Sequence, residues 1–329
     1  MSEAEIQQAV MGAEEQAKEL PENIDFELRL AKMPHNDLGN MARLNAREGE
    51  DLLHVNHVGW YGWTGTHWDQ ESGADVARIK AAKAARAIYG EANALAHKGP
   101  QQGQSPEEWE KLVQRHRVWA QQSGNDGRLR AALSCLAVER SVKVEELDKP
   151  TMLFNVANGT LDLEQPRTPL QPHRRDNKLS RLSPVAYDPA ATAPRFKQFL
   201  AQILPDSEVQ LFVQRYFGYC LTGETSEQVL VFFHGRGANG KSTLTDIIAH
   251  IFGGYCAHLH FTSLLYDDRR RGADATPDLA KLPGARLVLA SEPENNARFS
   301  ESMVKSLTGG DAVTARRLNQ EFFEFYPQS

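Results

Sequence analysis

Apolar positions recur at helical spacing at Ile6, Val10, Ala13, Ala17 and Leu20, and the stripe stops at Pro21, which predicts a weakly amphipathic helix over residues 2–20. The period changes from Leu52 to Trp68. There Val55, Val58, Trp60, Trp63 and Trp68 are punctuated by Gly59, Gly62 and Gly65, which predicts short strands joined by tight turns. The clustered tryptophans read first as the core of a small sheet module, with stacking on nucleic-acid bases as the alternative. Residues 74–97 are alanine-rich with basic residues spaced along them, and predict one helix. Ser105-Pro106-Glu107-Glu108 opens a second helix, with Ser at the cap, Pro in the first turn and Glu three residues after the cap. A third is expected over residues 126–144, separated from its predecessor at Gly124. Asn158-Gly159, set between β-prone stretches of residues 154–163, predicts a hairpin.

A polar, proline-bearing passage from Gln165 to Arg175, with more prolines up to Pro194, places a domain boundary near residues 189–194. Beyond it come amphipathic helices over residues 196–204 and 208–221 and an apolar strand at residues 229–233. A helix beginning at Thr243, a continuous apolar strand from Arg286 to Glu292, and a pair of strands at Val313–Ala315 and Phe322–Tyr326 complete the pattern. The division expected is a helix and linker over residues 1–50, a mainly helical α+β domain over 51–190, and an α/β core over 191–329.

The formal net charge is −6 over 329 residues, so there is no global basic field and any nucleic-acid site must be local. Cys135, Cys220 and Cys256 lie far apart with no C-x-x-C spacing, which points to reduced thiols in a cytoplasmic setting. The histidines show no metal-ligand spacing. No apolar run is long enough to span a bilayer, and the polar, acidic N-terminus does not read as a secretory signal.

The chemistry sits after the strand at residues 229–233. Gly235-Arg236-Gly237-Ala238-Asn239-Gly240-Lys241-Ser242 is the G-x-x-x-x-G-K-[ST] pattern, followed by Thr243. Backbone N–H groups must face inward around a polyphosphate, which only residues with little side chain permit, and the following helix adds its N-terminal partial charge. Lys241 would reach the β/γ-phosphates and the Ser242 hydroxyl would hold Mg²⁺ beside ATP. A hydrolase also needs an acid beside the metal and the attacking water. Glu292, at the end of the apolar strand, fits that need, with Glu294 as second candidate; the alternative is that Glu292 caps the next helix. Arg316 and Arg317, near the tip of the last strand pair, are either phosphate-backbone contacts or surface charges paired with Glu321 and Glu324.

Leu153–Leu163, Tyr216–Gly223, Gly235–Thr243, Arg286–Glu292 and Leu307–Arg316, in this order and spacing, resemble the superfamily 3 helicases of the phage/plasmid primase–helicase group, relatives of the poxvirus primase-helicase. The resemblance covers roughly residues 51–327. It implies an AAA+-like, P-loop ATPase core preceded by a helicase-associated N-terminal region, Mg²⁺-ATP, and a ring, usually a hexamer, that translocates on single-stranded DNA. It also implies replication of a phage or plasmid in the cytoplasm of a bacterial host, with a replication initiator or primase as partner. It assigns the acidic Walker B position to Glu292 and DNA contacts to Lys305, Arg316, Arg317, Asn319 and Gln320.

Two departures set further expectations. The primase domain that often precedes this module is not seen, and Ser329 comes before the family's sensor strand and arginine finger. The core is therefore expected to be incomplete at its C-terminus, to leave residues 229–233 with unpaired edges, and to hydrolyse little alone. The competing readings are a non-catalytic DNA-binding or oligomerisation remnant, and another P-loop enzyme whose lid would be the Arg269-Arg270-Arg271 run.

Overall fold

The computed structural model describes residues 20–165, 170–266, 276–290, 298–316 and 321–329, so the helix expected over residues 2–20 lies outside the described residues but for Leu20. The chain divides into two compact units. One is built from the chain up to His54, Gly59–Gly62 and Gln70–Ser141, the other from Val55–Val58, Trp63–Asp69 and Val142–Ser329.

The first unit is helical: α1 (Ile24–Leu30), α2 (Asp37–Glu48), α3 (Gly73–Arg86), α4 (Ile88–Lys98), α5 (Pro106–Ser123) and α6 (Asp126–Glu139). Side-chain caps start several of them. Asn23 and Asn36 accept from the N–H groups of Phe26 and Gly39, and Ser105 and Glu108 form the reciprocal box that the sequence announces. Ala77, Ala81 and Ala84 of α3 pack with Leu44, Leu52 and Leu136, their small side chains letting backbones approach closely. The single helix expected over residues 74–97 is two. The chain turns at Ala87, which sends Ile88 onto Trp119 and Ala120, and Ala92 and Leu95 onto Trp109 and Val113. The third expected helix stops at Glu139, because Arg140 turns away to bind Asn45 through its side chain and His54 N–H through its carbonyl.

A buried charge cluster ties α2 to α4 and α1. The Arg43 guanidinium meets the Glu91 carboxylate at 2.9 Å and donates to the carbonyls of Pro34 and Met33, while Arg47 bridges Glu27 and Glu91. Charges this deep are tolerated only when paired with opposite charge and hydrogen-bonded.

Strands β1 (Leu52–Val55), β2 (Gly59–Trp63), β3 (Trp68–Asp69) and β4 (Ser141–Val142) form one sheet in the order β3-β2-β1-β4. This is the glycine-punctuated module. His57, Gly59 and Gly65 take positive φ at its turns, and Trp68 is buried with its indole N–H on the Arg175 carbonyl. Half-buried Trp60 packs beside Leu44, Ala77 and Ala81, and half-buried Trp63 lies 5.5 Å from Trp68, so Trp68 is the tryptophan of the module that is fully in a core.

The second unit is mixed α/β. Hairpin β5 (Leu153–Val156) and β6 (Gly159–Asp162) is followed by α7 (Pro194–Ile203), α8 (Ser207–Cys220) and α9 (Lys241–Phe252). Then β7 (Cys256–Leu259) pairs in parallel with β8 (Leu287–Ala290). Helix α10 (Glu301–Thr308) precedes the antiparallel pair β9 (Val313–Arg316) and β10 (Phe322–Phe325). The strand expected at residues 229–233 is not formed. No ladder partner lies beside it among the described residues, and Val229, Leu230 and Phe232 are exposed. An extended segment becomes a strand only when a neighbour takes its N–H and C=O groups. Strand β8 is also less buried than its apolar run suggests: Leu287 is buried, Val288 and Leu289 are half-buried, and Ala290 is exposed. Among the described residues no helix is long and apolar enough to cross a membrane.

Candidate functional site: a glycine-rich loop at the head of a helix

Helix α9 is held by its buried face. Leu244, Ile248 and Phe252 share a cluster with Val213 and Phe217 of α8 and with Leu287 of β8, and Phe199 and Ile203 of α7 lie against it. Its solvent side begins at the loop Gly235–Gly240, where the chain takes the left-handed turns that glycine permits. Gly235 has φ 156° and Gly240 φ 83°. A Cβ on Gly235 would come 2.2 Å from the Asn239 side-chain nitrogen, and one on Gly240 2.5 Å from Ile203 Cγ2. The first glycine lets the loop close on itself; the second lets it sit against α7. Ala238 also has a positive φ, 58°, a strained state for a residue with a Cβ.

Lys241 folds back over this loop. Its Nζ donates to the Gly235 carbonyl at 3.0 Å and to Asn239 Oδ1 at 3.3 Å. Asn239 Oδ1 also accepts from the Lys241 backbone N–H. Ser242 and Thr243 are exposed at the first turn of α9, and Thr245 Oγ1 donates to the carbonyls of Lys241 and Ser242. The result is an exposed loop carrying one ammonium, several backbone N–H groups at a helix N-terminus and two hydroxyls: a donor set for an anion.

The other expected site residues fare differently. Glu292, Arg317, Asn319 and Gln320, like the Arg269–Arg271 run, lie outside the described residues. Lys305 is exposed on α10. Arg316 is half-buried, its guanidinium 4.8 Å from the centre of the Phe322 ring and its backbone N–H on Thr276 Oγ1. Neither Glu321 nor Glu324 pairs with Arg316 among the described residues; Glu321 meets His57 at 2.8 Å instead. Among the described residues no cluster of three or more His, Cys, Asp or Glu side chains is placed to hold a metal ion, and the three cysteines are free.

Against known proteins, residues 41–205 match the D5 N terminal like family, just over half of the chain. The chain belongs to that family. A protein of Acanthamoeba polyphaga mimivirus named as a helicase, L207/L206, is 29% identical over 189 residues, covering 56% of this chain and 19% of the relative. A protein of African swine fever virus named as a primase, C962R, is 24% identical over 182 residues, 54% of this chain and 19% of its own. A Frog virus 3 protein named as a helicase, 022R, is 27% identical over 121 residues, 36% of this chain and 12% of its own. The chain thus matches about a fifth or less of the length of these relatives. The D5 N terminal like region ends at residue 205, before the glycine loop, so the family assignment and the loop are independent observations.

One residue that sequence reasoning passes over braces the strand leading to Glu292. Arg286 is fully buried, donates to the carbonyls of Leu221 at 2.6 Å and Leu153 at 2.7 Å, and lies 4.8 Å from the Tyr255 ring centre. Burial pulls its guanidinium below the usual range, opposed by Tyr255 and Asp148. It ties the start of β8 to β5 and to the end of α8. The only signal in the sequence is a cation directly before an apolar run.

Proposed function

We propose that this chain is part of the motor of a replicative helicase, a Mg²⁺-ATP hydrolase that works on single-stranded DNA within a ring of like subunits. The observation carrying the reading is the loop at residues 235–242: a lysine ammonium 3.0 Å from the first glycine's carbonyl, at the head of a well-anchored helix, in a loop whose first and last glycines, Gly235 and Gly240, take positive φ and leave little room for a Cβ. Two further facts support it. Strand β8, which runs toward Glu292, shares a hydrophobic cluster with α9, and the relatives are named as helicases and primases.

The residues present fit a nucleoside triphosphate. Lys241 now rests on oxygen acceptors of its own loop, which phosphate oxygens would replace. The N–H groups of Gly240, Lys241, Ser242 and Thr243 would orient the phosphates, and the exposed Ser242 hydroxyl would ligate the metal. Bound Mg²⁺-ATP would supply the phosphoryl group to be transferred and the Lewis acid that neutralises its charge. Glu292 would accept the proton of the attacking water, and Lys305, Arg316, Arg317, Asn319 and Gln320 would contact the DNA strand. A replication initiator or a primase acting in trans is the expected partner.

Lys241→Ala tests the reading. Binding of a fluorescent ATP analogue and any ATP turnover should fall by at least about tenfold, near 1.4 kcal/mol, while the far-UV spectrum and single-stranded DNA binding stay as in the wild type. Unchanged ATP binding in this variant would mean that the loop is not the nucleotide site. A second reading, a non-catalytic DNA-binding or oligomerisation module, is favoured by the exposed, unladdered segment at residues 229–233. Size-exclusion chromatography separates the two, since only the motor should assemble a ring on adding ATP and Mg²⁺.

A further inference from the structure

A recess of about 790 Å³, open to solvent, lies along the outer face of α5. Lys111, Arg115, Val118 and Gln122, three or four residues apart, form one wall, and His35 and Trp119 form its end. Glu108 is the acid lining it, and its carboxylate is already engaged by the Ser105 N–H in the helix cap. Lys111 and Arg115 are exposed and form no ion pair among the described residues.

The aromatic end is rigid. The His35 ring stacks on Trp119 with centroids 5.3 Å apart and planes 6° from parallel, and meets His116 edge-on at 4.4 Å. Trp119 is fixed in turn by its indole N–H on Asn40 Oδ1 at 2.9 Å and by the Arg128 guanidinium 4.3 Å from its ring centre. Behind His35, Arg43 grips the carbonyls of Pro34 and Met33. Trp119 is buried, so His35 is the half-exposed ring of the stack. The local field is positive: burial lowers the His35 pKa to about 4, and His116, Arg43 and Arg115 push the same way. In a chain of net charge −6, two cations with no ion pair among the described residues, beside a stacked aromatic pair, are a local exception to the overall field.

We propose that this recess binds single-stranded nucleic acid, one base stacking on the half-exposed His35 ring and the adjacent phosphates meeting Lys111 and Arg115. Four residues of helix separate the two cations by about 6 Å along the axis, a spacing on which a single strand can set neighbouring phosphates. Stacking on an aromatic platform flanked by cations is how such strands are held without sequence preference. The site is independent of the glycine loop and needs no ATP. It would give the D5 N terminal like region a strand contact of its own.

The experiment is anisotropy of a labelled oligothymidylate with the full chain, without nucleotide, over a range of salt. Lys111→Glu with Arg115→Glu should weaken binding by at least about tenfold and lower the slope of log K against log salt by about 1.4. His35→Ala should weaken it several-fold, and His35→Phe, which keeps a stacking face, should restore it. Lys241→Ala should leave it unchanged, so that failure here and failure of the ATP site are told apart. Melting curves confirm that each variant is folded. Wild-type affinity and salt slope in the doubly reversed variant overturn the proposal, as does no measurable binding by the wild type. It is equally overturned if polyglutamate binds as tightly as the oligonucleotide and His35→Ala does not distinguish them, since the recess would then be a site for acidic protein.

Discussion

His35 shows how one residue's surroundings turn into a property of the protein. Its pKa of about 4, against an ordinary 6.5, follows first from burial and then from His116, Arg43 and Arg115. Between these two values the unfolded chain holds a proton that the folded chain refuses. Stability therefore rises with pH across that window: the contribution is full above 6.5 and is lost as pH falls toward 4. Burial also lowers His54, His67 and His116, so they add to the same slope. The expected outcome is a urea midpoint that falls between pH 7 and pH 4.5, and a shallower fall in His35→Phe. An identical slope in that variant would show that His35 is not held neutral by its site.

Neighbouring side chains on one segment show what an element can and cannot declare about itself. Phe233 stacks on Phe217 at 6.2 Å and belongs to the cluster that anchors α9, whereas Phe232 is exposed. Phe233→Ser should cost about 2 kcal/mol or more, and Phe232→Ser less than about 1 kcal/mol, read from urea unfolding. Equal costs would mean that the segment is turned the other way. The sequence makes the whole stretch at 229–233 a strand because it is apolar and β-prone, but a strand is a relation between segments and none of the described residues supplies it. Elements with a local cause were legible. The Ser105–Glu108 box, the helix that follows Gly240 and the turn ahead of Gly159 each depend on residues within a few positions. The glycine loop was legible for the same reason. The turn at Ala87, the brace at Arg286 and the meeting of His35 with Trp119 depend on residues 30 or more positions away. No periodicity records such partners.

For the whole molecule, the decisive feature is that the two units are interleaved in sequence: Val55–Val58 and Trp63–Asp69 belong with the chain that resumes at Val142. Within that unit Trp68 is buried, donating its backbone N–H to Leu179 O and its indole N–H to Arg175 O, each at 2.9 Å. The Thr66 carbonyl accepts from Nδ2 of the buried Asn155, whose Oδ1 takes the Thr160 hydroxyl. A fragment starting at Val142 keeps the glycine loop, β7, β8 and the last strand pair, yet loses Trp68 and the Thr66 acceptor. Uncovering the site of one tryptophan costs about 2–3 kcal/mol, and leaving the Asn155 amide short of a partner adds about 1–3 kcal/mol. Residues 142–329 expressed alone should therefore unfold at a distinctly lower urea concentration than the corresponding transition of the intact chain. A synthetic peptide covering residues 59–72 should raise that midpoint in proportion to its occupancy. If the fragment is as stable as the intact chain and ignores the peptide, then Trp68 and Thr66 are passengers. Otherwise the glycine loop rests on a core that includes residues from more than a hundred positions upstream.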